Sequence, residues 1–215
     1  MSRPSSSATY IGTSKPVSFH ELIVTFSLFS ISYSSIGDAS RFPKATFLVG
    51  EGSRELMQNG YPTTQNSDIL ELTFPRDRTQ FLPAFNKAIG PFPRAHDYFG
   101  DGSLYLIDAI GHLPGHINIL ARTSAAGSWI YLGADTAHDN RLLTKEKEVA
   151  TMVDPSGRTL CAHANKADAD KHIERVGSLL SMPGVHVLLA HDWEWYERNE
   201  DKKAFLPGVI PPVAL

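Results

Sequence analysis

The sequence predicts a layered fold of the α/β or α+β class, in which helices cover mixed strands. Two observations predict it. Strand-like runs follow one another at Ser103–Ile110, His116–Arg122 and Ser128–Gly133, rich in β-branched and aromatic residues. Beyond them, Lys166–Leu180 reads as a helix with Ala167, His172, Ile173, Val176, Leu179 and Leu180 on its apolar side. His172 itself is expected at the surface or boundary of that helix. Pro183-Gly184 stops the helix and the apolar strand Val185–Ala190 follows. No internal repeat breaks the pattern, so stacked layers are the expected architecture.

The remaining elements fall in order. Residues 1–16 are rich in Ser, Thr and Pro and read as a disordered start. Residues 17–215 read as one domain, since no composition shift marks a boundary. The apolar run from Leu22 to Phe29 is read as part of a strand over residues 22–32. Glu21 at its entrance and the lack of positive charge argue against a signal-peptide core. Ile36-Gly37-Asp38 is a turn signal. Ala45–Gly50 reads as a short strand, and Ser53 as the N-cap of a helix reaching Gln58. Asp68–Phe74 reads as a strand. Residues 75–98, interrupted by Pro75, Pro83, Pro91 and Pro93, read as a long surface excursion. Gly100-Asp101-Gly102 and Thr123–Gly127 are hairpin loops.

Composition narrows the function. The chain has 215 residues, 42% hydrophobic and 20% charged, with a formal net charge of −3. Scattered Lys and Arg leave no basic footprint for nucleic acid. No apolar run approaches the ~18 residues of a membrane span. The single Cys161 forms no internal disulfide, which points to a reducing, cytoplasmic setting. Nothing in the sequence fixes an oligomeric state.

The chemistry-bearing residues stand at strand ends. His112 lies in Ile110-Gly111-His112-Leu113-Pro114-Gly115-His116, after one strand and before the next. Asp135 ends the run Trp129–Ala134, and His191 ends Val185–Ala190. Strand ends are rigid and their loops reach solvent, so sheets present functional groups there. Two imidazoles and a carboxylate suit zinc or another divalent ion. Taken singly, each residue has a bland reading: a Gly/Pro turn with incidental histidines, or an Asp that caps a helix. His138 and Asp139 follow Asp135 on the same loop, and His163 near Cys161 is a further, weaker candidate ligand.

At these residues the chain resembles the metallo-β-lactamase superfamily, most closely fungal members related to acyl-homoserine lactonases and glyoxalase II. Ile110–His116 is similar to the family's Pro-Gly-His-x-x-Gly-His turn. Ala134-Asp135-Thr136 and Ala190-His191-Asp192 are similar to its two later strand ends. The resemblance runs from about Phe26 to Pro207 and implies an αββα sandwich. It also implies that His112 binds one metal, that Asp135 bridges two, that His191 binds the second, and that His116 supports them from behind. The family's His-x-His-x-Asp-His motif aligns with Ser30-x-Ser32-x-Ser34-Ser35, so four expected ligands are serines. The hydroxyl of Ser stays protonated near neutral pH and ligates zinc poorly. Few residues precede that motif, so the front of the sandwich is expected to be incomplete.

The resemblance implies a zinc-dependent hydrolase acting on a small lactone, lactam or other acyl substrate. Asp38 and His138 are the candidates for proton transfer, His138 standing where the lactonases carry a substrate-contacting Tyr. The four serines predict impaired catalysis, and the alternative is a non-catalytic or truncated member. A third reading is a binding module built on Trp193, Trp195 and Tyr196 beside His191.

Overall fold

The computed structural model describes residues 22–24, 43–67, 70–71, 75–82, 84–200 and 210. The expected disordered start, Ser30, Ser32, Ser34, Ser35 and Asp38 lie outside the described residues, as does the strand reading beyond Val24.

Two sheets stack. The smaller is parallel and runs β1 (Leu22–Val24), β2 (Thr46–Val49), β3 (Thr79–Phe81) in that order. The larger contains β4 (Lys87–Ile89), β5 (Phe92–Asp97), β6 (Leu104–Asp108), β7 (Ile117–Arg122), β8 (Trp129–Ala134) and β11 (Val185–Leu189). Its spatial order is β11-β8-β7-β6-β5-β4. Neighbours pair antiparallel except β11 and β8, which are parallel. A parallel pair needs a crossover. Here it contains α2 (Asn140–Leu143), the hairpin β9 (Met152–Val153) and β10 (Thr159–Leu160), and α3 (Lys166–Ser178).

Side-chain alternation along the strands creates the layers. In β2, Phe47 and Val49 face outward and pack with Met57 of α1 (Arg54–Gln58). Leu48 faces the other way and joins Leu104, Leu106, Ile117 and Ile119 between the sheets. Leu106, Ile119 and Leu132 align across three strands on that inner face. Tyr105, Leu120 and Tyr131 align on the outer face, where Ile173 and Val176 of α3 and Leu143 of α2 cover them. Helix, sheet, sheet and helix therefore succeed one another in an αββα sandwich.

Several expectations need correction. Residues 75–98 are not a surface excursion, because they contribute β3, β4 and β5. Phe92 is 1% exposed and stacks on Tyr131 at 5.1 Å. Pro75 and Pro93 stand where pairing does not need their missing N–H. Pro75 precedes a turn of 3-10 helix, and Pro93 lies ahead of the Ala95–Asp97 stretch that pairs with β6. Ser53 precedes α1 but does not cap it; its hydroxyl turns back and donates to the Gly50 carbonyl. Of the strand expected at Asp68–Phe74, the described residues hold one bridge, Tyr61 to Leu70. His172 is buried in the core, not at the surface.

Because β6, β8 and β11 run in the same direction, their carboxyl ends meet at one edge of the sheet. The loops after those three strands leave from that edge. The first of them, between β6 and β7, is gripped on two sides. Gly111 has a φ of 119°, and a Cβ there would collide with the Ala169 backbone of α3. Gly115 has a φ of 80°, and a Cβ there would strike Ser53 and the Gly50 carbonyl of the smaller sheet's turn. Only glycine satisfies both conformation and space. Gly111→Ala is expected to destabilise the fold by more than the ~1–2 kcal/mol of left-handed strain alone. Urea unfolding measures this, and wild-type stability in that variant would contradict the grip.

Candidate metal centre

The turn between β6 and β7 presents His112 and His116, both 3% exposed. Its ends are tied by Ala109 N–H to His116 O at 3.0 Å and His116 N–H to Leu113 O at 3.1 Å. Two more bonds tie it to the chain leading into α3. The Ala164 N–H donates to His112 O at 2.8 Å, and the Asn165 N–H donates to Gly111 O at 2.9 Å. Asn165 in turn caps α3, its side chain accepting from the Asp168 N–H.

Asp135 follows β8 and is 2% exposed. Ala134 before it takes a φ of 44°, which is rare for a residue with a Cβ. Strain of this kind persists where surrounding bonds fix the backbone. Here the Ala190 N–H donates to Ala134 O at 3.0 Å, and the Thr136 N–H to Gly133 O at 2.9 Å. The first of these bonds brings the end of β11 beside the end of β8, and with it His191.

His112, Asp135 and His191 meet in space. Asp135 Oδ1 lies 3.1 Å from His191 Nε2, and Asp135 Oδ2 lies 3.9 Å from His112 Nε2. His138 joins them, its ring 4.7 Å from that of His191 and 5.5 Å from that of His112. One donor atom each from Asp135, His138 and His191 come together within 4.8 Å of one another. His116 stands behind His112 with ring centroids 5.2 Å apart. Its Nδ1 lies 3.2 Å from Ala109 O, and because a carbonyl only accepts, that nitrogen carries the proton. Nε2 of His116 is then a bare lone pair, buried and with no hydrogen-bond partner among the described residues.

Sequence reasoning passed over Asn118 and gave His138 and His163 lesser parts. His138 was assigned to proton transfer, yet its ring stands among the candidate ligands. His163 is 6% exposed, with its Nδ1 3.3 Å from Nδ1 of His112. Asn118, the second residue of β7, is fully buried. Its amide donates to Gly133 O at 2.8 Å, and its oxygen accepts from Thr136 Oγ1 at 2.8 Å and Tyr131 Oη at 2.7 Å. His172 Nε2 lies 3.0 Å from the same oxygen. This network grips the residues on both sides of Ala134-Asp135 from beneath. The signal available was a polar residue in the apolar run Ile117–Ala121, facing the helix layer.

Electrostatics suit the cluster to a cation. Burial lowers the pKa of His116 to about 3 and that of His163 to about 4, with His112 nearby adding to each shift. Burial and the neighbouring His191 and His112 lower His138 as well, against the pull of Asp135. Imidazoles held neutral keep the lone pairs that a metal requires. The other chemistry expected here divides. Asp139 caps α2, accepting from the Arg141 N–H, and Asp192 caps α4 (Trp193–Asn199), accepting from the Trp195 N–H. Trp193 is 65% exposed and stacks on Tyr196 at 5.1 Å. Among the described residues, no helix is long and apolar enough to cross a membrane.

No protein-family model matches the chain. In an alignment 181 positions long that covers 74% of this chain, it is 35% identical to cytochrome P450 monooxygenase mpaDE' of Penicillium brevicompactum. That match takes in 21% of the relative, so the chain spans about a fifth of its length. A name given to the whole relative assigns no activity to the shared fifth. Over 115 residues it is 39% identical to metallo-hydrolase mfmC of Annulohypoxylon moriforme, covering 52% of this chain and 30% of that one. Over 111 residues it is 36% identical to gamma-lactamase FDB1 of Fusarium pseudograminearum, covering 49% and 27%. In fold it is similar to a quorum-quenching N-acyl homoserine lactone lactonase, with a TM-score of 0.56 and 16% identity over 88% of this chain and 63% of that one. The AiiA protein of B. thuringiensis, in a mutant with N-decanoyl-L-homoserine at its active site, gives a TM-score of 0.55 and 15% identity over 82% and 58%. The fold is that of the metallo-β-lactamase superfamily, shared with these lactonase structures, and the relatives that match part of the chain include a metallo-hydrolase and a gamma-lactamase. Its Asp135, His138 and His191 form a His/Asp group of the kind that could hold a metal ion.

Two outcomes follow from the buried network and the neutral histidines. Asn118→Leu leaves the Thr136 hydroxyl without its acceptor, while the Gly133 carbonyl keeps the Thr136 N–H. At ~1–3 kcal/mol for a stranded buried group, chemical denaturation should show a loss of about that size. For pH, burial lowers His172 from its usual 6.5 to about 4, with Arg175 nearby adding to the shift. The unfolded chain therefore takes up a proton that the folded chain refuses between those values. Stability present above pH 6.5 falls as pH drops toward 4, by up to ~1.4 kcal/mol per pH unit for this group. His172→Gln should make the measured pH dependence shallower by one proton.

Proposed function

We propose that this chain is a metal-dependent hydrolase whose cation, zinc first among candidates, is held by Asp135, His138 and His191. His112 would stand at the second oxygen of Asp135. The convergence of donor atoms from Asp135, His138 and His191 at the sheet edge carries this reading. The residues fit such an ion. The carboxylate is buried, two of the imidazoles near it are held neutral, and each sits on a loop fixed at both ends. Three protein ligands with an open position is the pattern of a catalytic zinc.

A divalent ion held there supplies Lewis acidity toward an acyl carbonyl. The chain's own contributions are separate. Asp135 provides the negative charge, Asn118 and Thr136 hold its loop, and His116 braces the His112 turn. The substrate class is a small lactone or lactam. The names of the gamma-lactamase relative and of the lactonases with the same fold support that class. A second reading, a member that keeps the cleft without turnover, is favoured by Ser30, Ser32, Ser34 and Ser35 at the motif's four ligand positions.

Metal analysis of the purified full chain should find about one equivalent of divalent ion, retained through gel filtration. Asp135→Asn and His191→Ala should each weaken zinc by more than the ~10–100-fold that loss of a supporting partner costs. A lactone and lactam panel, assayed with added zinc, then separates the two readings. Turnover abolished by Asp135→Asn supports the hydrolase, whereas metal binding without turnover supports the inactive member. A preparation that binds no divalent ion and turns nothing over sinks the metal assignment and the hydrolase with it, and turnover by the unmodified chain sinks the inactive member.

A further inference from the structure

We propose that His172 is a positioning residue for Asp135: from α3, its Nε2–H holds the Asn118 side chain, and Asn118 holds the chain on both sides of Asp135. What this does for a cation rests on the reading above, while the hydrogen bonds and the hold on the loop do not.

The amide of Asn118 can point only one way. Its nitrogen faces two carbonyls, Gly133 O at 2.8 Å and Ile117 O at 3.2 Å, and carbonyls only accept. Its oxygen therefore faces Tyr131 Oη, Thr136 Oγ1 and His172 Nε2, at 2.7, 2.8 and 3.0 Å. The amide thus spans the bend that presents Asp135, with Gly133 before it and Thr136 after. The Gly133 carbonyl also accepts the Thr136 N–H, so a side-chain bond and a backbone bond close the same loop.

His172 removes the freedom that remains. Burial lowers its pKa to about 4, so near neutral pH the ring carries one proton. Nε2 lies 3.0 Å from the Asn118 oxygen and 3.2 Å from Tyr131 Oη. A proton on Nε2 serves both oxygens. On Nδ1 it would be buried with no hydrogen-bond partner among the described residues, which is costly. The bare Nε2 would then face the Asn118 oxygen lone pair to lone pair and draw the Tyr131 hydroxyl away from it. Phe92 pins both rings, stacked on Tyr131 at 5.1 Å and packed against His172 at 5.6 Å.

A histidine that only fills the core is the competing account. Packing explains the ring but not the meeting of polar atoms. Donors from β8, the loop after it and α3 converge on one amide oxygen, which offers two lone pairs. Three donors around that oxygen leave the side chain no second orientation, as a residue that holds a loop requires. The two accounts differ in what a change at position 172 disturbs. Lost packing loosens the whole sheet, whereas lost positioning loosens the Asp135 loop first.

The test compares the full chain with His172→Leu and His172→Gln, the Gln side-chain N–H standing in for that of Nε2. Long-range 15N–1H correlation spectra of metal-free wild type read the tautomer, which should be Nε2–H. Hydrogen exchange reads the loop through the Thr136 and Ala190 amides, which bond to Gly133 O and Ala134 O. Competition between Zn2+ and a chelator reads affinity. In His172→Leu those two amides should exchange about 2–30-fold faster relative to the paired amides of β5 and β6, and zinc affinity should fall by a factor in the same range. His172→Gln should keep both near wild type. An Nδ1–H tautomer in wild type overturns the proposal, even if the Leu variant does not fold. So does a His172→Leu protein whose amides all speed up alike, or not at all. Should wild type bind no zinc, the cation reading fails on its own and the Thr136 and Ala190 amides still decide the role of His172.

Discussion

A carboxylate taken almost wholly out of water is the constraint around which this molecule is arranged. Removing a charge from water costs several kcal/mol unless partners compensate. Asp135 meets that cost with imidazoles, His191 on one oxygen and His112 on the other. Each partner comes from a different strand end, so the compensation exists only when β6, β8 and β11 are in register. The left-handed Ala134 is part of the same cost. Its strain is tolerated because Gly133 and Thr136 are bonded to Asn118 below and Ala134 is bonded to Ala190 beside it.

The His112 turn ties the layers to one another. It leaves β6, touches the smaller sheet through Gly115 and Ser53, touches the helical layer through Gly111 and Ala169, and enters β7. Interiors are close-packed and transmit displacement. A shift of α3 therefore moves the carbonyls of Gly111 and His112 directly, and His163 with them. Asn118 and His172 make the second such link, since His172 belongs to α3 while Asn118 grips the Asp135 loop. Helix and site are coupled by hydrogen bonds at two places rather than by apolar packing alone.

Much of the fold was legible because its signals are local. Alternation in β6, β7 and β8 and the apolar side of α3 are properties of neighbours in the sequence. Residues 75–98 misled because proline was read as a breaker. Pro93 breaks nothing where it stands beyond the pairing with β6, and Phe92 next to it is a core aromatic. Ser53 misled because its hydroxyl had a nearer carbonyl than the helix it precedes. Within the site, His112, Asp135 and His191 were legible as residues that end apolar runs. Asn118 was not, and His163 was only a weaker candidate, because their partners lie up to 54 and 51 residues away and no spacing encodes such a meeting. His172 was misplaced for the same reason. Its polarity argued for the surface, and only the buried Asn118 oxygen explains its place inside.

The donor set bears on how many ions such a site would take. A pair of cations sharing Asp135 needs further donors on both sides. Serine hydroxyls at positions 30, 32, 34 and 35 are poor candidates for that task. One ion asks for less. Asp135, His138 and His191 already give it three protein donors, the complement of a catalytic zinc with an open position. His112 then need not ligate at all to matter. Its Nε2 lies 3.9 Å from the second oxygen of Asp135, and its Nδ1 lies 3.3 Å from that of His163. On this account His138, on a later loop, would stand in for a ligand that the motif would have supplied from the first strands. Asp135 would then be the ligand of one ion rather than the bridge between two.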